Sequence, residues 1–291
     1  RIMREYTYEW YPEKYNDPNG PILKITKSSQ GSYNWCPQKY HFNYRERLPQ
    51  DTTEAMTKGT IIHNAREDYF NVYDLKKAES METLEELIAY NYSLYPIDDY
   101  TDVYYSMACF DANRLMDAKD EGETEDFLPV LNEVMLDAEF LVRASAFDHV
   151  ELKRNYLVHL QGIIDRLYFS EGGYIPMELK TGAWGKHKAT GMRKEMAFYK
   201  LLFDESTDAH LREKGIDPQY EMTHWGWYFP VANHIQVEKV KKISESAMLK
   251  GIANLVHAYE NNAFEGKYNE RSCASCSYFS ICPTASMAGW V

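Results

Sequence analysis

The stretch that most constrains this chain runs from Gly162 to Gly182, GIIDRLYFSEGGYIPMELKTG. Ile163–Phe169 is apolar and β-branched or aromatic at most positions, as strands prefer. Ser170-Glu171-Gly172-Gly173 is turn chemistry, because glycine reaches positive φ without a Cβ clash. Tyr174–Leu179 reads as a second short strand, closed by Thr181-Gly182, so the whole is a β-hairpin. Two carboxylates interrupt its apolar strands, Asp165 in the first and Glu178 in the second. Lys180 follows Glu178 by two residues, and strand alternation puts those two side chains on one face.

A buried pair of carboxylates is costly unless something compensates it, and a divalent cation does so. Asp165 and Glu178 offer hard oxygen ligands, suited to magnesium or manganese. Beside them, Lys180 could orient a water or neutralise charge on a scissile phosphate. The bland alternative makes Asp165 an edge residue and Glu178–Lys180 a surface ion pair, since short motifs recur by chance. Upstream, GTIIHNARE reads as the start of a helix that brings His63 and Glu67 to one face. His63 is a candidate metal ligand; Glu67 is a weaker candidate for a supporting role.

Downstream, KTGAWGKHKATGMRK is free of acids between Glu178 and Glu195. It carries Lys180, Lys186, Lys188, Arg193 and Lys194, with Trp184 among them. Basic side chains beside an acidic metal site suit a polyanion backbone, and Trp184 could stack on a base. The formal net charge of -12 argues against a basic nucleic-acid coat protein but not against an enzyme with a local basic groove.

Cys273-x-x-Cys276-x-x-x-x-x-Cys282-Pro283 has metal-ligand spacing. Thiolates leave the choice between zinc and an iron–sulfur cluster. Cys36, followed by Pro37, is the best fourth ligand, and a shared site would staple the two ends of the chain. Cys109 reads as a buried free thiol in an apolar helical segment.

Residues 1–26 read as an N-terminal extension with a turn at Asp17-Pro18-Asn19-Gly20-Pro21. A helix is expected from Lys27 to Cys36, and an acidic helical insertion from about 76 to 130. VMLDAEFLV and Val150–Leu160 read as strands, Ala189–Phe203 as an amphipathic helix, and THWGWYFP with HIQVEKV as a second hairpin. Ser244–Ala263 completes the set as a long helix. This order predicts an α/β (mixed α+β) class with a central mixed sheet flanked by helices. No apolar run approaches the roughly 20 residues that span a membrane, and the first residues lack a signal-peptide core. The expectation is a cytoplasmic protein without a membrane partner.

In motif order, residues 27–291 resemble the PD-(D/E)xK nucleases of the RecB-like iron–sulfur branch, which includes Cas-four-type and AddB-like nuclease domains. The likeness lies in Ser28–Tyr44 with its Cys-Pro, in GTIIHNARE, GIIDR, MELKTG and EMAFYKLL, and in the cysteine trio. It implies a restriction-endonuclease-like core whose N- and C-terminal segments, 28–48 and 264–291, meet at a four-iron, four-sulfur cluster held by Cys36, Cys273, Cys276 and Cys282. It implies that His63, Asp165, Glu178 and the Leu179 carbonyl hold Mg²⁺ or Mn²⁺, that Lys180 assists the water, and that Tyr199 positions DNA. The implied activity is exonucleolytic cleavage of single-stranded DNA ends. Implied partners are DNA and recombination, replication or CRISPR-adaptation proteins of a bacterial, archaeal or phage-infected cell. One position departs from the pattern: Glu195 stands where the family has a DNA-contacting Gln. An anion near phosphate is unfavourable unless a metal or lysine pairs it.

Overall fold

A computed structural model describes residues 23–287. The expected turn at Asp17–Pro21 lies outside the described residues. The first described element, β1 (Leu23–Thr26), falls in the segment read from sequence as an extension, yet it is a strand of the sheet with Ile25 fully buried. The sheet has six strands. β2 (Leu131–Val142) and β3 (Tyr156–Ser170) form its longest pair, antiparallel from Leu131↔Leu167 to Val142↔Tyr156.

The other edge of β3 is shared by two strands. β1 runs parallel to it and ends at Thr26↔Gln161. β4 (Gly173–Leu179) runs antiparallel and pairs from Ser170↔Gly173 to Arg166↔Met177. The carboxyl ends of β1 and β4 therefore point at each other across residues 162–165 of β3, which neither strand pairs. Everything placed just after those two strands converges on this gap. β5 (His224–Phe229) continues the sheet parallel to β4, and β6 (His234–Lys239) returns as its hairpin partner.

The helices cover both faces. α1 (Lys27–Trp35) follows β1 without a linker. The Thr26 hydroxyl accepts from the Ser29 amide and the Ser29 hydroxyl accepts from the Thr26 amide, a reciprocal cap that fixes the start of the helix. Lys27 is thereby held at the gap. With α7 (Ala189–Glu205) and α9 (Lys242–Asn261), α1 covers the face that carries Ile25, Leu160 and Trp227. Neighbouring residues on a strand face opposite ways, so Leu179 and Tyr228 belong to the other face. There they join the apolar core of α3 (Glu54–Val72), α5 (Leu84–Ser93) and α6 (Thr101–Glu121). α5 and α6 fall within the stretch read from sequence as helical, about 76 to 130, whereas α3 precedes it and starts five residues before Gly59.

The remaining helices are short: α2 (Pro37–Tyr40) after Cys36, α4 (Leu75–Glu79), α8 (Asp208–Glu213), α10 (Glu270–Ala274) and α11 (Pro283–Met287). The Tyr278 hydroxyl donates to the Leu48 carbonyl, and Phe42 packs on the Tyr278 ring, so the two terminal segments meet. The result is a mixed α/β architecture consistent with a restriction-endonuclease-like fold.

Candidate active site

The predicted hairpin is present, and its two acids sit at the strand gap, 7 % and 2 % exposed. They turn different ways. Asp165 faces α3: its Oδ2 accepts the Leu179 amide at 2.9 Å and lies 3.7 Å from Nδ1 of His63. His63 in turn reaches the Leu179 carbonyl through Nε2 at 3.0 Å. Glu178 faces α7: Oε2 accepts the Tyr199 hydroxyl at 2.8 Å, and Oε1 meets Lys180 at 3.0 Å and Lys27 at 2.5 Å. The Tyr199 hydroxyl also lies 2.6 Å from the Ile163 carbonyl.

Glu195 closes a ring of alternating charge. Its Oε2 is 2.8 Å from Lys180 and 3.7 Å from Lys27. The acid in place of the family glutamine is thus lysine-paired, the condition under which an anion can stand beside a phosphate site.

Lys27 and Glu133 are the two site residues that sequence reasoning missed. Among the described residues, one group of acid and imidazole side chains is gathered tightly enough for a single ion: His63, Glu133 and Asp165, with ligand atoms within 4.8 Å of one another. Glu133 lies on β2 at the register position facing Asp165, between Asn132↔Arg166 and Val134↔Ile164. Its φ of 48° is left-handed, which interrupts the ladder. Its Oε1 also takes Arg166 at 3.0 Å. Lys27 carries only a helix-start signal, as the first residue after the Thr26 cap, and a left-handed glutamate inside a strand leaves no sequence mark.

Burial sets the charge states. Burial, with the Glu178 charge adding to it, holds the Asp165 carboxyl well above the carboxylate range against Lys27 and the Leu179 amide. Burial also opposes the charge on Glu178, but Lys180 and Lys27 outweigh it and hold that carboxyl far below the usual range. Burial lowers His63 against the pull of Glu178 and the Leu179 carbonyl, favouring the neutral imidazole that binds metals. Two or three carboxylates, one imidazole and a backbone carbonyl form a donor set that fits Mg²⁺ or Mn²⁺. Cation binding there would displace the proton of Asp165.

The proposed DNA-contacting residues divide. Trp184 stacks on His234 at 4.1 Å and packs on Phe229, so its ring is used within the protein. Arg193 is held by both oxygens of Glu238, at 2.7 and 3.0 Å. Lys188 donates to the Ala183 carbonyl. Lys186 is exposed, and Lys194 lines a cavity beside the site.

At the chain ends, Cys36, Cys273, Cys276 and Cys282 line one cavity of about 360 Å³. Burial pushes the Cys276 thiol up, and Cys36 and Cys282 are near enough to add to it. Cys109 lies apart on α6 and is partly exposed rather than buried.

A family model described as the PD-(D/E)XK nuclease superfamily matches residues 25–283. The chain belongs to the PD-(D/E)XK nuclease superfamily. Membership points to a metal-dependent nuclease, since these nucleases use divalent metals, and the donor set above fits that use. A search of curated proteins gave no match. Among solved structures, one described as "Crystal structure of SSO0001" is 12 % identical, with a TM-score of 0.34 over 72 % of this chain and 94 % of its own. A likeness so distant carries no argument about this nuclease. No helix among its described residues is long and apolar enough to cross a membrane.

Proposed function

We propose that this protein is a metal-dependent DNA exonuclease that hydrolyses single-stranded ends and carries a structural four-iron, four-sulfur cluster. The observation that carries the reading is the meeting of Asp165, Glu178 and Lys180 with His63 and the Leu179 carbonyl at the strand gap. A divalent ion bound by His63, Asp165, Glu133 or Glu178 and the Leu179 carbonyl would polarise the phosphodiester and acidify a water. The chain supplies the rest. Lys180, kept charged by Glu178 and Glu195, is placed to neutralise the developing negative charge. Tyr199 locks Glu178 from behind. The helical layer of α3, α5 and α6 packs on Leu179 and Tyr228, next to the reacting groups.

The cysteine cavity supports the cluster. Cys36 of one terminal segment and Cys273, Cys276 and Cys282 of the other line the cavity together, which suits a metal group shared between them.

The test is hydrolysis of 5′- and 3′-labelled single strands, duplexes and circular single strands with Mn²⁺, for wild type, Asp165→Ala and Lys180→Ala. Linear single strands should shorten from an end with wild type alone. Equal activity in all three proteins sinks the enzyme reading, and cutting of circles sinks the exonuclease part. Anaerobically purified protein should be brown, with iron and acid-labile sulfide; colourless protein with stoichiometric zinc overturns the cluster.

A further inference from the structure

A cavity of about 340 Å³ opens between α1 and α7, within the range of small-ligand pockets. It starts at the reacting groups, because Lys27 and Glu195 belong both to its wall and to the charge ring around Glu178. It extends to Trp35, whose ring also borders the cysteine cavity and is 40 % exposed.

Two features of its wall have no explanation within the protein. Gly31 lies in the middle of α1 and Gly191 in the first turn of α7. Glycine is a poor helix former, and a glycine inside a helix usually answers a packing need. Neither does here: a Cβ at either position would meet nothing within 4 Å. Above both positions there is open space.

The rest of the wall has the chemistry of a nucleotide site. Lys27 and Lys194 supply cations for phosphate, and Phe198 and Met248, each 2 % exposed, border the cavity from the apolar core. Gln30 and Asn34, joined by an Nε2–Oδ1 hydrogen bond of 3.0 Å, offer amide groups for a base edge. Gln30 is 3 % exposed, and its Oε1 has no hydrogen-bond partner. Gly251 of α9 approaches this amide pair so closely that a Cβ would lie 3.1 Å from Asn34 Oδ1 and 3.3 Å from Gln30 Nε2.

We propose that this cavity seats one unstacked nucleotide, the neighbour of the scissile phosphate in a single-stranded substrate, with Trp35 taking the next base. The proposal rests on the nuclease reading for which phosphate is scissile, but not for the binding itself. Gly31→Leu and Gly191→Leu fill the space with better helix formers, so melting temperatures should hold or rise. The dissociation constant for fluorescein-labelled (dT)12, measured by anisotropy in the Asp165→Ala background, should rise at least tenfold, and KM with Mn²⁺ should rise with it. In the otherwise unaltered full chain, a 5-iododeoxyuridine oligonucleotide should crosslink to the peptides of Trp35 or Phe198. Unchanged binding and KM in both leucine variants, or a crosslink that maps elsewhere, overturns the proposal. Should the wild type bind (dT)12 through this cavity yet cleave no DNA, the nuclease reading falls and the nucleotide site stands. Cleavage by wild type and both leucine variants alike has the opposite meaning.

Discussion

The ammonium of Lys27 lies 2.5 Å from Oε1 of Glu178. It gets there because β1 ends at the strand gap and α1 begins on the next residue. The same oxygen takes Lys180 at 3.0 Å, so two cations converge on one carboxylate that is almost fully buried. Preorganised positive charge where a reaction develops negative charge is among the strongest catalytic devices. Lys27→Met should therefore lower kcat on single-stranded DNA by about 10²-fold, the cost typical of losing one such donor. Lys27→Arg keeps the charge and should recover part of the loss. If Lys27→Met cleaves at the wild-type rate, the residue is a structural counter-ion only.

Glu133 tests whether the metal group extends beyond the hairpin. Its left-handed backbone brings a carboxylate to His63 and Asp165, and a strained conformation persists only where the surroundings impose it. Glu133→Gln should weaken Mn²⁺ binding by about 10- to 100-fold, whether the glutamate ligates directly or supports the ligands. Calorimetric titration of Mn²⁺ into each protein measures this without any DNA present. An unchanged affinity would assign Glu133 to Arg166 alone, its other partner at 3.0 Å.

Three residues after His63, Arg66 fixes α3 in place. Its Nη1 donates to Asp111 Oδ2 at 2.6 Å and to the Tyr95 hydroxyl at 2.7 Å, and Nη2 reaches Asp111 Oδ1 at 3.3 Å. Both side chains are buried, at 6 % and 0 % exposure. Removing one partner of such a pair strands the other charge, at a cost of about 3–5 kcal/mol. Asp111→Ala should lose stability by that order in urea unfolding. The double change Arg66→Met with Asp111→Leu removes the stranded guanidinium of Arg66, leaves only the part-exposed Arg114 that also neighbours Asp111, and should recover most of it. A double variant as unstable as the single one would mean that packing, not stranded charge, sets the cost.

How much of this was legible in the sequence follows from the range of each interaction. The hairpin, the α7 face and α9 are local patterns of period two or 3.6, and the structure has them where the pattern put them, with α9 starting at Lys242 rather than Ser244. The order of motifs also pointed to the gap around Asp165 and Glu178. What the sequence hid is non-local. Four residues at Leu23–Thr26 are too short a strand to stand out, and only pairing with Val158–Gln161 makes them one. Lys27 becomes a site residue through Glu178, 151 positions away. Trp184 looked like a platform for bases because its sequence neighbours are basic, but His234 comes from a later strand to stack on it. Glu195 looked like a defect until Lys27 and Lys180 were seen on either side.

Glu238 on β6 offers a test of the sheet edge by pH. Burial works against its charge, but the Arg193, Trp225 and Lys241 hydrogen bonds, with the Arg193 charge, bring the carboxyl down to about 2. An unfolded glutamate titrates at about 4.3. A carboxyl depressed in the folded state stabilises the fold fully above the unfolded value, and that stabilisation is lost as pH falls toward the folded one. Glu238→Gln should therefore be less stable than wild type at pH 7. The gap in urea midpoint should begin to shrink near pH 5 and narrow steadily toward pH 3. Because Glu238 anchors Arg193 and Lys241 together, the variant should also free two cations at the edge of the basic segment. A gap in midpoint that stays constant from pH 7 to pH 3 would show that the carboxylate charge contributes nothing and that Glu238 acts through packing alone.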